Sequence, residues 1–200
     1  NKSEWKKLIK HSKKKFLTIC TPFDEISVKK VIDYNFDFLK IASCSMDEWP
    51  LLEHIAKLAK QKKIIASLGG GDDQSIRNII SFFSSKKRKL NAKFLYCVAK
   101  YPTEPENLNL SYFSHLKEIY GKKIMGFSTH ENTNETLSAS IAYAMGARIF
   151  EKHVAVETHK YKKNAYSVDT LQFEKWLDNL NNKILRYGSL KKRNTYLNEE

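Results

Sequence analysis

KIMGFSTHENTNETLSASIAYAMGARIFEKH, residues 123–153, decides the fold. The stretch opens on a short apolar run (123–127) and passes through a polar turn. A segment apolar at helical period (134–145) follows and stops at Gly146, and a second short run (148–153) closes the stretch. The order is strand, helix, strand. Two strands joined through a helix lie parallel with a right-handed crossover. Each of these two strands leads into a histidine, His130 and His153.

Working outward, the same unit recurs. Strands are expected at 16–20, 36–42, 63–68 and 93–98, and helices at 3–13, 27–34, 47–61, 73–84, 111–120 and 170–185. Ser27 is placed to cap the second helix, and Asp73 leads into SIRNIISFF, apolar at Ile76, Ile79, Ile80 and Phe83. Strict alternation leaves a doubly wound sheet or a barrel. No G-x-G-x-x-G or G-x-x-x-x-G-K-[ST] is present, and the strands are of near-equal length, which favours a TIM-type (β/α)8 barrel. Such a barrel typically needs about 250 residues and eight strands. Six are counted here, so the expectation is a partial barrel of six βα units, strands three to eight, open at two edges. Residues 1–200 are then one partial barrel domain with its core at 4–185 and the start of a linker at 186–200. Asn1 is expected to be an internal residue of a longer polypeptide.

Composition fits this. The chain has 200 residues, 42% hydrophobic and 28% charged, an ordinary globular balance. No apolar run approaches the roughly 20 residues needed to cross a bilayer, and none opens the chain as a signal peptide would. Cys20, Cys44 and Cys97 are odd in number with no CxxC, which argues against a disulfide framework and fits a reducing, cytoplasmic setting. Net charge is +13, from 35 basic and 22 acidic residues. Only five of the cations are Arg, whose planar fork phosphate and base readers favour, so nucleic acid is not an expected partner. Basic clusters at 13–15, 86–89 and 191–193 read as solvated faces.

In parallel α/β barrels the reactive groups sit where strands end. The carboxyl ends carry TPFD (21–24), KIASCS (40–45), ASLGGGDD (66–73), CVAKYPTEP (97–105), GFSTHE (126–131) and FEKHV (150–154). Two imidazoles on neighbouring strands suit a divalent transition metal whose shell water or substrate oxygens complete; core histidines or acid–base groups are the alternative. His159 is a weaker candidate, and His11, His54 and His115 fall on helices. Lys40 with Ser43, Ser67 and Ser128 has the composition of an anion site. The run Gly69–Gly71 before a helix offers backbone N–H groups to an anion, or serves as a flexible turn. Strand alternation puts Glu151 and His153 on one face and Lys152 on the other. Glu151 then meets substrate, orients His153 or pairs with Lys152. Tyr101, in an extended X-Pro segment, either bonds substrate or packs.

Taken together, TPFD…SV, KIAS…PLLE, CVxxYPT, GFSTHE and GAxxxEKH, in this order, resemble the N-acetylneuraminate (sialic acid) synthase family, from about Glu4 to about Leu185. The resemblance implies a (β/α)8 barrel that condenses phosphoenolpyruvate with an open-chain amino sugar such as N-acetylmannosamine, giving a nonulosonic acid plus phosphate. It implies a divalent metal, Mn2+ or Mg2+, held by His130 and His153 and polarising the sugar aldehyde toward attack by the enol carbon. Lys40, Ser43, Ser67 and Ser128 match positions that hold phosphoenolpyruvate, Tyr101 matches a substrate-site tyrosine and Glu151 a residue near the sugar, and these last two are the expected catalytic residues. The chain lacks the segment that in the family supplies an essential acid/base glutamate and a further phosphate-contacting lysine. It stops near the linker to an antifreeze-like domain that donates an arginine to the neighbouring subunit, so the full-length protein is expected to be a homodimer. Ser45 stands where the family has glutamate, Ala99 where it has asparagine, and Lys163 near an expected aspartate. These departures fit a different sugar, of legionaminic or pseudaminic type, or lost activity. The 200-residue piece alone is expected to be poorly stable and inactive. The rival readings are a non-catalytic module holding an anionic glycan or polyanion, and another metal-dependent barrel enzyme such as an aldolase.

Overall fold

The computed structural model describes residues 2–85, 88, 90–131 and 136–188. Six strands, β1 (Ile19–Cys20), β2 (Phe38–Ile41), β3 (Lys63–Ser67), β4 (Asn91–Cys97), β5 (Ile124–Thr129) and β6 (Ile149–Lys152), lie side by side in chain order. Every adjacent pair is parallel. The connections carry α2 (Glu25–Asp33), α3 (Trp49–Leu58), α4 (Asp73–Ser84), α5 (Leu110–Tyr120) and α6 (Leu137–Ala144), with α1 (Lys2–Ser12) before the sheet and α7 (Thr170–Tyr187) after it. The result is an open half barrel with helices on its convex face.

Alternation sorts the side chains. Leu39 pairs in register with Ile64, Ile41 with Ala66, Ala66 with Phe94 and Tyr96 with Phe127. These outward residues merge with Val28, Leu52, Ile55, Ile79, Ile80 and Phe83 of the covering helices into the main core. Burying each large apolar side chain there contributes on the order of 1.5–3 kcal/mol. A smaller cluster, Ala139, Trp176 and Leu180, seats α7 against α6. The concave face carries the other register set, with Ile65, Leu95 and Ile149 below and Lys40, Ser67, Cys97, Ser128 and Glu151 toward the carboxyl ends. Gly126 is required here, because a Cβ would collide with the Ile149 carbonyl and the Leu95 side chain.

Several local expectations are corrected. The first strand is only two residues long, and Phe16 and Leu17 are exposed, because an edge strand has one neighbour to hold it. The cap of α2 is Asp24, whose Oδ1 accepts the Ser27 N–H at 2.6 Å; Ser27 adds its own hydroxyl to the Asp24 carboxylate. Asp72 caps α4 through the Ser75 N–H at 2.8 Å. A 3-10 turn at Ser43–Ser45 delays α3 to Trp49, with Pro50 in its first turn, where a missing N–H costs nothing. At the chain's end, α7 runs to Tyr187 and stops at Gly188, past the expected boundary at 185. Most of the expected linker, the basic cluster at 191–193 and all of 86–89 except Arg88 lie outside the described residues. No helix among the described residues is long and apolar enough to cross a membrane.

Candidate active site

At the carboxyl rim of the concave face lies a cavity of about 390 Å³. It is lined by Lys40, Ser43, Ser67, Tyr101, Ser128, His130, Glu151 and His153, so all eight residues singled out in the sequence come together. Thr21, Phe23, Cys44, Cys97, Lys152 and Tyr166 also line it.

Lys40 points inward from β2 and is 6% exposed. Its Nζ donates to Ser67 Oγ on β3 at 2.7 Å and to the Ile41 carbonyl at 3.3 Å. It also lies 3.3 Å from Glu151 Oε2 on β6, so the ion pair spans the concavity. Ser128 Oγ donates to the other Glu151 oxygen at 2.8 Å. Glu151 and Ser128 are register partners on one face, and Lys152 pairs with Thr129 on the other. Lys152 Nζ instead bonds the Glu131 carbonyl at 2.8 Å. Ser43 Oγ accepts the Gly69 N–H at 3.1 Å, tying the second strand's loop to the third's.

The histidine pair sits on β5 and β6 exits with ring centroids 5.1 Å apart. His130 is buried, and its Nδ1 lies 3.1 Å from the Val98 carbonyl. A carbonyl can only accept, so the proton is on Nδ1 and the Nε2 lone pair is free. Burial of His130 and partial desolvation of the more exposed His153 push both below the ordinary imidazole value, which favours the neutral ring. Beneath them the Cys97 thiol, 3.9 Å from His130 Nδ1, is pushed up by burial and stays protonated. Glu131 braces the loop from below: its carboxylate accepts from Thr129 Oγ1 at 2.7 Å and Ser138 Oγ at 2.6 Å. Among the described residues no group of three or more His, Cys, Asp or Glu is placed to hold a metal. Two neutral imidazoles, one with its tautomer fixed by a carbonyl, fit a divalent ion whose remaining positions belong to water and substrate oxygens.

Aromatic rings pack against the histidine pair. Tyr101 stands 4.3 Å from His130 and 5.1 Å from Tyr166, centroid to centroid. The Tyr101–Pro102 peptide is cis, where an extended segment was expected. Tyr166 meets His130 and His153 edge-on, at 5.9 and 5.1 Å. No expectation included Tyr166, whose loop has no periodicity; its place follows from the pairing of Val154 with Val168. Cys97 was within reach of the strand alternation that places Leu95 inward.

Other candidates fall elsewhere. None of Gly69–Gly71 lines the cavity, and the α4 N-terminus is already satisfied by Asp72, so the glycine run serves as a turn. Lys163 Nζ donates to Gln172 Oε1 at 2.8 Å and neighbours Asp169 in the α7 capping box. Ser45 is buried in its 3-10 turn, Ala99 is exposed, and neither lines the cavity. His159 is exposed, and His11, His54 and His115 sit on α1, α3 and α5.

A parallel half barrel with a buried, ion-paired lysine and a histidine pair at its carboxyl rim describes a class of barrel enzymes. The comparisons narrow it: a match to the NeuB family covers residues 1–192, and the chain belongs to that family. It is 33% identical over 156 residues to the N,N'-diacetyllegionaminic acid synthase of Campylobacter jejuni, a match covering 76% of this chain and 45% of that protein. Among solved structures it superposes on a spore coat polysaccharide biosynthesis protein E from Chromobacterium violaceum with a TM-score of 0.88 and 34% identity, over 98% of this chain and 57% of that one. It also superposes on the N-acetylneuraminic acid synthetase of Leptospira borgpetersenii with a TM-score of 0.82 and 30% identity, over 96% and 67%. The chain spans less than half the length of the curated relative.

Proposed function

We propose that this chain carries the phosphoenolpyruvate- and metal-binding part of an enzyme that condenses phosphoenolpyruvate with an N-acylated amino sugar, forming a nonulosonic acid and phosphate. The observation that carries this is the meeting of Lys40, Ser67 and Ser128 with the His130–His153 pair in one rim cavity. Similarity to synthases named for legionaminic and N-acetylneuraminic acids supports the chemical class.

Each side chain has a task that follows from its surroundings. Lys40 is a single buried point charge already organised by Ser67, so an incoming phosphate or carboxylate meets a pre-oriented donor pair. Ser128 and Ser43 add hydroxyls on either side. Glu151 holds Lys40 and Ser128 in the absence of substrate, and an anion arriving there takes over those donors and frees the carboxylate for the second substrate. His130 and His153 would hold a divalent cation, Mn2+ or Mg2+, which when bound supplies Lewis acidity toward a carbonyl oxygen. Tyr101 walls the cavity beside His130 and limits how the second substrate lies. The complete protein is read as a homodimer acting in the cytoplasm.

The test is phosphate release by the full-length polypeptide supplied with phosphoenolpyruvate, Mn2+ and N-acetylated hexosamines, with the carbon–carbon product identified by mass. The expected result is release that falls by at least about a hundredfold in both His130→Ala and His153→Ala, the order of loss typical when a catalytic electrostatic group is removed. Turnover undiminished in both variants contradicts the assignment, and product without phosphate release would mark an aldolase instead.

A further inference from the structure

The backbone pairing of β5 with β6 stops one residue short of the histidines. Its register ends at Thr129 with Lys152, and His130 and His153 follow directly on the two strands. Their ring centroids stand 5.1 Å apart, so the spacing of the pair is set beyond the ladder that aligns the strands.

Each strand exit is tied to a loop of its own. The His130 carbonyl accepts the Thr103 N–H at 3.0 Å and its Nδ1 meets the Val98 carbonyl at 3.1 Å, which fastens it to the segment after β4. The His153 carbonyl accepts the Val168 N–H at 2.9 Å, which fastens it to the segment before α7. Neither hold spans the gap between the two exits.

Lys152 spans it. Its Nζ donates to the Glu131 carbonyl at 2.8 Å, so the donor's residue immediately precedes His153 and the acceptor's immediately follows His130. The acceptor is a fixed post: Glu131 is buried, and its carboxylate takes the Thr129 hydroxyl at 2.7 Å and the Ser138 hydroxyl at 2.6 Å. A side chain thus carries the β5–β6 ladder one step past its last backbone pair. Groups that orient metal ligands typically supply about 10–100-fold of metal affinity, because two ligands of one ion tolerate little error in their placement.

We infer that Lys152 is a positioning residue for the histidine pair: its Nζ, anchored on the Glu131 carbonyl, fixes the separation at which His130 and His153 share one divalent ion. The inference rests on the metal-binding role given to that pair in the proposed function. Charge alone works against a lysine at this place, since an ammonium repels a divalent cation. Its bond across the two exits outweighs that repulsion, and the two contributions respond to substitution with opposite signs.

The experiment titrates Mn2+ and Co2+ into the full-length polypeptide without substrates. Free Mn2+ is followed by its paramagnetic resonance signal, and bound Co2+ by its visible absorption, which reports ligand geometry. Lys152→Met keeps the apolar stem and removes the donor with its charge. It is expected to bind both ions at least about tenfold more weakly, the lower end of what a ligand-orienting group supplies, and to alter the Co2+ spectrum. Removing a repelling charge with no change of geometry would tighten binding instead. Lys152→Arg, which keeps a donor on a long stem, is expected to recover most of the affinity and the unaltered spectrum. Lys152→Thr, β-branched and suited to a strand, serves if the methionine variant does not fold, with thermal midpoints read alongside. Unchanged or tighter binding in the variant that lacks the donor, or a loss that Lys152→Arg repeats in full, overturns the inference while leaving the metal role of the histidines intact. If the unaltered protein binds neither ion, or His130→Ala binds them as tightly, the metal reading of the proposed function fails and this inference with it.

Discussion

Two lysine–carboxylate pairs sit at opposite ends of the same sheet. At the amino rim, just before β1 and β2, Lys13 Nζ lies 2.9 Å from Asp37 Oδ1. At the carboxyl rim Lys40 Nζ lies 3.3 Å from Glu151 Oε2. The amino-rim pair is saturated: Asp37 Oδ2 also accepts from the Thr18 N–H at 2.7 Å and the Thr18 hydroxyl at 2.8 Å. Those donors, the Thr18 N–H first, hold the Asp37 carboxyl down to a pKa of about 2. The carboxyl-rim pair joins β2 to β6 across the concavity, beside open space and shared hydroxyls. One pair closes a join between chain segments; the other keeps bonding capacity at the mouth of a cavity. This matches the division in barrel enzymes, where one rim serves stability and the other serves chemistry.

Breaking the carboxyl-rim pair should give the largest effect, and it should appear in binding. Lys40→Met is expected to weaken phosphoenolpyruvate binding by at least about a hundredfold, near 2.7 kcal/mol by the affinity relation. Calorimetric titration of the full-length protein measures it. The unfolding free energy should move by about 1 kcal/mol or less, because Glu151 keeps its Ser128 bond and can be reached by water. An unchanged affinity would remove Lys40 from the anion site.

Breaking the amino-rim join should reverse the pattern. Asp37→Asn is expected to cost about 1–2 kcal/mol of stability by urea unfolding, since bonds to a charged acceptor become bonds to a neutral one. Phosphoenolpyruvate affinity should stay as it was, because Asp37 lies at the far rim. The pH dependence follows from the depressed pKa. An unfolded aspartate titrates near 3.9, so the contribution is complete above about pH 4 and disappears as pH falls through about 2. Stability curves of the unaltered chain and Asp37→Asn should therefore converge between about pH 4 and pH 2. Curves that stay parallel through that window would show that the carboxylate does not hold the join.

How far the sequence foretold this contrast depends on the kind of signal. The convex face was legible because alternation and helical period act over many residues; Leu39, Ile64, Phe94 and Phe127 fall outward as their spacing requires. The same alternation placed Glu151 and His153 inward and Lys152 outward. The rim cavity was partly legible, since strand ends can be counted, but the ion pair between β2 and β6 joins residues 40 and 151, a contact set by the sheet's curvature. Tyr166 was illegible because a two-residue bridge in an aperiodic loop sets it. The glycine run was ambiguous, because a turn and an anion cradle use the same residues and only the cap at Asp72 separates them. Asp37 also went unremarked: its three donors come from residues 13 and 18, and nothing in the local pattern announces the join.

The smallest effect sharpens what that join consists of. Lys13→Met removes the charged partner of Asp37 but leaves both Thr18 donors. Lys13 and Asp37 side chains are 29% and 27% exposed, so water screens the pair and also competes for the lysine. An ion pair in that setting is worth about 0.2–1 kcal/mol. The expected loss is within that range by urea unfolding and should shrink further in about 1 M salt, which weakens partly exposed ion pairs. The acid transition attributed to Asp37 should persist in Lys13→Met, because the Thr18 N–H remains the main group holding the carboxyl down. If Lys13→Met instead removes the acid transition as fully as Asp37→Asn does, the lysine charge rather than the threonine donors holds the amino rim, and the two pairs differ less in kind than in what lies beside them.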